Sequence, residues 1–269
     1  MSAQSEKARQ FAALHQASGG FILPNPWDAG SARIMANSGF KALATSSAAH
    51  ANTLGRGDYK ISLDEALQHC RLIASATDLP VTADLENGFA HRPDQVADTV
   101  LMASETGIVG CSIEDATQDP HSPLYPLELA VERVRLAVVA SQRLGFPFLI
   151  TARTEALIHG IEDMGEIVRR LTAFEKAGAH VLYAPGVRTL DQARQICASV
   201  KRPANVMAHP DLSAPDLIAA GVKRVSLGPW LARAAIQGLL TAIAEVNEHG
   251  TFRFAASCPT GQTVAKLMQ

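Results

Sequence analysis

The sequence lacks the signals that mark several whole classes of protein. Its four cysteines, Cys70, Cys111, Cys197 and Cys258, are widely spaced and form no C-x-x-C pair. That argues against a disulfide framework or a cysteine-built zinc site, and for reduced thiols in a cytoplasmic protein. Charge of one sign is missing too: the formal net charge is −2 and the pI about 6.5. Such a balance leaves no electrostatic footprint for nucleic acid. No Lys/Arg run suggests an anionic membrane surface. No apolar run approaches the ~18–20 residues of a membrane span. The opening "MSAQSEKARQFAALHQASGG" has no signal-peptide apolar stretch and reads as a short helix over 5–17, stopped by Gly19-Gly20. No linker or low-complexity stretch divides the chain.

What remains is an ordinary globular composition, 47% hydrophobic and 19% charged with mean hydropathy +0.07. Its 269 residues suffice for one large α/β barrel or two small domains. Short apolar runs alternate with amphipathic stretches from end to end. Strands are expected at Phe21–Leu23, Ala42–Thr45, Val81–Asp84, Gly110–Glu114, Phe148–Ala152, Val181–Ala184, Ala204–Met207 and Val225–Leu227. Helical spacing fills stretches such as Ser62–Thr77, Pro93–Thr106, Leu127–Arg143 and Asp163–Ala177. Gly178 and Gly221 sit where C-terminal caps belong, and Asp28 and Ser213 where N-caps do. Eight strand–helix units with a parallel sheet suggest a single (β/α)8 TIM-type barrel over 1–269. An open doubly wound sheet is the competing arrangement, weakened because no G-x-G-x-x-G follows the first strand.

A barrel places its chemistry at the C-terminal ends of its strands. "ADLENG" closes the third with Asp84 and Glu86, and "SIEDA" closes the fourth with Glu114. By strand alternation Asp84 and Glu86 face the same way, as do Ser112 and Glu114. Cys111 alternates away into the packing, and Trp27 and Trp230 read as packing residues. Three carboxylates converging on one mouth would repel and raise one another's pKa. A divalent cation resolves that conflict, and an all-oxygen set favours Mg²⁺ or Mn²⁺ over zinc. The alternative is that these acids cap helices or pair with Arg and Lys. Arg153, after "FPFLIT", suits a carboxylate of a substrate or of a neighbouring Glu. Ser46 and Ser47 offer hydroxyls and amides to an anion. Asp58 lies near enough to the second strand's end to reach the metal's waters. The polar segment 115–126 is long for a strand–helix connection and reads as a lid carrying His121, a candidate acid or base.

These blocks resemble the isocitrate lyase/phosphoenolpyruvate mutase superfamily. The likeness runs in order from "PNPWDAGSARI" through "TSSAAHANTLGRGD", "ADLENGF", "GCSIEDA" and "ITARTEAL" to "GVKRVSLGP". It implies a (β/α)8 barrel with the last helix exchanged between subunits of a homodimer or homotetramer. It also implies Mg²⁺ and chemistry on 2-oxo or 2-hydroxy carboxylates through a pyruvate enolate. By position, Asp84 matches the principal metal-side aspartate, and Glu86 and Glu114 the other acids around the metal. Asp58 matches a further acid near the site. Ser46 with the backbone at Ser47 and Ala48 matches the pocket for the substrate's carboxylate and oxo group. Arg153 matches the arginine at the substrate's other acidic end, and Asn205 a strand-seven asparagine of the lyases.

Two departures shape the functional expectation. The loop "ATQDPHSPLY" has neither the Lys-[Lys/Arg]-Cys-Gly-His block of the isocitrate-type lyases nor the Lys and Asn of the phosphonopyruvate members. The superfamily's D-x-D-x-G-x-G is here D-L-E-N-G-F-A. The expectation is a Mg²⁺-dependent lyase or hydrolase of a small, oxaloacetate-like 2-oxo dicarboxylate, since decarboxylation needs no attacking base. The alternatives are carbon–phosphorus chemistry, cleavage of an isocitrate or malate homologue with His121 in place of the cysteine, and a non-catalytic 2-oxo acid binding protein.

Overall fold

The computed structural model describes residues 2–269. Eight short parallel strands alternate with helices: β1 (Phe21–Leu23), β2 (Leu43–Ala44), β3 (Val81–Asp84), β4 (Gly110–Glu114), β5 (Leu149–Arg153), β6 (Val181–Tyr183), β7 (Ala204–Met207) and β8 (Arg224–Ser226). The sheet runs β1-β8-β7-β6-β5-β4-β3-β2. β1 and β2 share no ladder, but the Ala44 amide donates to the Pro24 carbonyl at 3.0 Å and draws the two edges together. The result is a nearly closed (β/α)8 barrel.

The helices are α1 (Ala3–Gln16), α2 (Ala29–Asn37), α3 (Ser47–Thr53), α4 (Leu63–Ser75), α5 (Pro93–Ser104) and α6 (Leu127–Gln142). They continue with α7 (Met164–Lys176), α8 (Leu190–Ser199), α9 (Ala214–Ala219), α10 (Trp230–His249) and α11 (Gly261–Leu267). Their starts are written locally. Asp28 and Ser62 close capping boxes with Ser31 and Glu65, and the Ser213 hydroxyl accepts from the Asp216 amide. Gly178 and Gly221 take φ of +99° and +101° where α7 and α9 turn into the next strand, a conformation glycine adopts without steric cost.

The main core lies between strands and outer helices, built from residues such as Leu43, Ile113, Ile150, Leu171 and Phe174. A second cluster closes the bottom of the barrel, where Ala8 and Phe11 of α1 pack on Leu23, Ala42, Ala44 and Val109. α1 is therefore a plug that begins two residues earlier than expected, at Ala3. Cys111 is fully buried in the main core, as expected, and Trp27 packs against it.

The last segment departs from this pattern. α10 has one buried residue, Ala232, and leaves Ile236, Leu239, Leu240, Ile243 and Val246 exposed. α11 then returns to α2, where Arg33 and Asn37 donate to the Met268 and Leu267 carbonyls. Among the described residues no helix is long and apolar enough to cross a membrane.

Candidate active site

One cavity of about 310 Å³ opens among the C-terminal ends of the strands. Ser46, Ser47, Ala48, Asp58, Asp84, Arg153 and Asn205 all line it. Asp84 is its hub. Oδ2 accepts from the Ser47 hydroxyl at 2.8 Å and the Ser47 amide at 3.2 Å. Oδ1 faces Arg153 Nη1 at 3.3 Å and accepts from the Ser112 hydroxyl at 3.4 Å. Both polar groups of Ser47 are thus turned to Asp84. Ser46 caps α3, its Oγ accepting from the Ala49 amide at 3.3 Å, which leaves its O–H to donate.

Arg153 ends β5 among three carboxylates. It pairs with Glu155, stands 3.4 Å from Glu114 and 3.3 Å from Asp84, and lies over the Tyr183 ring. Burial opposes its charge, but Glu155, Glu114 and Asp84 more than offset that and keep it ionised. One guanidinium does not neutralise the three acids. Burial pushes the Glu114 carboxyl well above the usual range, with Arg153 pulling the other way. Glu155 is raised by burial for the same reason. At the exposed rim, the Asp58 carboxyl is raised by partial burial and then by Asp84.

Glu86 does not follow the alternation expected of it. β3 ends at Asp84, and Glu86 lies beyond it at φ +48°, so period two no longer applies. Its carboxylate lines a neighbouring cavity with Tyr59, Phe89 and Gln118. Oε2 accepts from the Gln118 amide at 3.3 Å, while Oε1 is buried with no hydrogen-bond partner. Burial, then Asp84 and Asp58, push this carboxyl up to about 8. Among the described residues no three His, Cys, Asp or Glu side chains form a ready metal cluster. The expected trio of Asp84, Glu86 and Glu114 is therefore near one place without making a direct three-carboxylate chelate.

The segment 115–126 forms an irregular hairpin, with Ala116 and Leu124 bridged antiparallel, and its Thr117, Gln118 and Asp119 line the cavity beside Glu86 rather than the one around Asp84. Its base is held from below. Buried Arg133 of α6 lies against the Tyr125 ring and donates to the Asn87, Ala90 and His91 carbonyls of the segment after β3. Arg170 of α7 pairs with Asp115 at 3.1 Å and donates to the Tyr125 carbonyl. His121 is exposed at the loop's tip, its amide donating to Asp119 Oδ1 at 2.9 Å. It does not line the cavity.

Tyr59 and Arg224 are lining residues that the sequence did not single out, and Trp230 and Asn205 have contacts it did not give. Tyr59, at φ +57°, lines both cavities and donates its hydroxyl to Glu114 Oε1 at 2.8 Å. Burial, then Glu114, raise its pKa strongly. Trp230, expected in the packing, instead lines the mouth, donates Nε1 to the Ala208 carbonyl at 2.9 Å and stacks under Arg233. Asn205 lies deeper, where its Nδ2 donates to the Ser226 hydroxyl at 3.0 Å and its Oδ1 accepts from Arg224 Nε at 2.8 Å. Arg224 carried a weak signal: a cation opening the apolar stretch "RVSLG".

The sequence pattern of the phosphoenolpyruvate phosphomutase family matches residues 11–247. The oxaloacetate decarboxylase of Pseudomonas entomophila (strain L48) is 31% identical over 221 residues, 78% of this chain and 74% of that protein. A crystal structure from Burkholderia cenocepacia J2315, provisionally assigned as a lyase/mutase, is 45% identical and superposes with a TM-score of 0.97, over 98% of this chain and 97% of the other. Phosphonopyruvate hydrolase in complex with oxalate and Mg²⁺ is 26% identical with a TM-score of 0.87, over 97% and 94%.

Proposed function

Because the chain belongs to the phosphoenolpyruvate phosphomutase family, whose superfamily includes carbon–carbon lyases, we propose that it is a Mg²⁺-dependent lyase or hydrolase of small, oxaloacetate-like 2-oxo dicarboxylates. The observation that carries this reading is the excess of acid at the mouth. Asp58, Asp84, Glu86, Glu114 and Glu155 gather about Arg153, and four of the five are held above the normal carboxylate range. A divalent cation relieves such an excess, and the unpartnered Glu86 Oε1 is an oxygen that wants one.

The donor set is all oxygen, which fits Mg²⁺ or Mn²⁺. Mg²⁺ commonly takes one or two carboxylates and keeps several waters, so a site without a three-carboxylate chelate suits it. Asp84, Glu86 and Glu114 would hold the ion and its waters. When bound, Mg²⁺ supplies Lewis-acid stabilisation of the charge on the substrate's 2-oxo oxygen.

The chain's own groups do the rest. The Ser46 hydroxyl and the Ala48 backbone hold the 2-oxo acid's carboxylate, beside the Ser47 amide that donates to Asp84. Arg153 keeps Asp84 and Glu155 in place and offers its charge to the substrate anion at the mouth. Breaking the C3–C4 bond of oxaloacetate releases C4 as CO2 and leaves its electron pair in a pyruvate enolate, which takes up a solvent-derived proton at C3. Enolate stabilisation is testable without any bond cleavage. With Mg²⁺ in D2O, the enzyme should wash deuterium into the methyl group of pyruvate. Retention of all three protons at the enzyme-free rate would count against the reading.

The neighbouring phosphonopyruvate hydrolase favours a second reading, carbon–phosphorus cleavage. A ³¹P spectrum showing phosphate released from phosphonopyruvate would establish it. For the assembly, the apolar stripe Ile236, Leu239, Leu240, Ile243 and Val246 of α10 supports a homodimer or homotetramer built by exchange of this helix.

A further inference from the structure

Below the carboxylates of the mouth the same cavity meets a charge of the opposite sign. Arg224 opens β8 and lines the cavity together with Thr151, Asn205, Ser226 and Tyr183. The residue is only 4% exposed. Nε donates to Asn205 Oδ1 at 2.8 Å, and Nη2 donates to the Thr151 hydroxyl at 3.0 Å. Nη1 is buried with no partner at all. Among the described residues no Asp or Glu pairs with this guanidinium. Thr151 sits two residues before Arg153 on β5, so Arg224 reaches a level about 7 Å below the mouth.

A buried cation without a counter-ion is strongly disfavoured. Packing alone would be better served by an aliphatic side chain at this position. The surrounding groups also have the chemistry of an anion subsite. Thr151 and Ser226 bring hydroxyls, and Asn205 fixes the guanidinium's orientation through Nε. Burial brings the Arg224 pKa down to about 10, still far enough above neutrality to leave it charged. The chain supplies every other part of an ion pair here except the anion.

We propose that Arg224 is a specificity-determining residue that binds a second carboxylate of the substrate, deep in the barrel, while the 2-oxo acid end stays at the mouth. This rests on the reading of the mouth as a 2-oxo acid site. The preferred substrates are therefore dicarboxylic rather than monocarboxylic 2-oxo acids.

Calorimetric titration with Mg²⁺ present tests this with three probes. Oxalate reports on the mouth alone, whereas 2-oxoglutarate and 2-oxopentanoate differ by the distal carboxylate. The wild type should bind 2-oxoglutarate at least tenfold more tightly than 2-oxopentanoate. Arg224→Gln should abolish that preference and leave oxalate affinity within about twofold. Arg224→Lys, which keeps the charge, should retain part of the preference and decides the matter if the Gln variant does not fold. A wild type that binds oxalate but shows no preference overturns the inference alone. So does an Arg224→Gln protein that keeps the preference, or one that loses oxalate and both 2-oxo acids equally. Failure of the wild type to bind oxalate would overturn the reading of the mouth and this inference with it.

Discussion

Asp84 and Arg153 could be read from the sequence because each closes an apolar strand, where a charge has few structural excuses. Glu86 could be recognised as an acid of the site but not placed. Its conformation depends on β3 ending two residues earlier, a property of packing rather than of local pattern. Tyr59 was not legible and Arg224 only faintly so, since an aromatic hydroxyl and a lone cation acquire meaning only from partners far away in sequence. At this scale the acids give two predictions. Replacing Glu114 by Gln should weaken Mg²⁺ binding and turnover together, each by roughly tenfold or more. Unchanged metal affinity in a calorimetric titration would remove Glu114 from the metal's surroundings. The second concerns pH. Glu86 is pushed up to about 8 in the folded chain, against about 4.3 when unfolded. The folded state thus binds the extra proton between those values. Its contribution to stability is full below about pH 4 and is lost as pH rises through about 8. Asp58, Glu114 and Glu155 act in the same direction. His15, His50, His69 and His180 are held below the usual imidazole range mainly by burial and pull the other way up to about pH 6.5. The melting temperature of the metal-free protein should therefore fall from about pH 6.5 to pH 8, and saturating Mg²⁺ should flatten that fall. A metal-free Tm that rises across the window would contradict the electrostatic account.

Among the elements, the eight strands and most helices were readable from periodicity and caps. Fully buried parallel strands are near-continuous apolar runs, and β3, β4 and β7 fall where expected. β8 begins one residue earlier than its apolar run, at Arg224, because a strand position occupied by a buried arginine carries no hydrophobic signal. The long loop was legible by length, yet its working side chain was not. His121 points to solvent, and it is Gln118, at φ +68°, that reaches the site by donating to Glu86. What holds the loop region is also non-local: Arg133 on α6 gathers three carbonyls of the segment after Glu86. Hydrogen bonds to a charged group are worth about 1.5–3 kcal/mol. Arg133→Met should therefore lower unfolding free energy by roughly that amount or more in a denaturant titration, and lower turnover by loosening Glu86. Full activity with unchanged stability would show that the clamp is dispensable.

For the molecule as a whole, the barrel is complete within one chain but its last long helix is not accommodated by it. The composition of α10 was readable as apolar, whereas its separation from the barrel was not, because helical periodicity does not say which surface receives a face. Exposure of five aliphatic residues along one helix exceeds what isolated surface residues normally show. Leu239→Asp combined with Leu240→Asp should convert the expected dimer or tetramer to a smaller species by light scattering, without melting the barrel. An unchanged mass for that variant, or a monomeric wild type, would reject the exchange. Trp230 and Arg233 sit at both the mouth and the start of α10, so dissociation should also raise KM. The central claim, however, is that the acids of the mouth serve a metal-assisted reaction on a 2-oxo dicarboxylate. The measurement that tests it most directly is a proton NMR time course with oxaloacetate, run with Mg²⁺, with EDTA and without enzyme. The account predicts pyruvate from C3–C4 cleavage, or acetate with oxalate if the C2–C3 bond is hydrolysed instead, formed above the enzyme-free rate with Mg²⁺ and not with EDTA. Decay of oxaloacetate at the enzyme-free rate in every sample would contradict it.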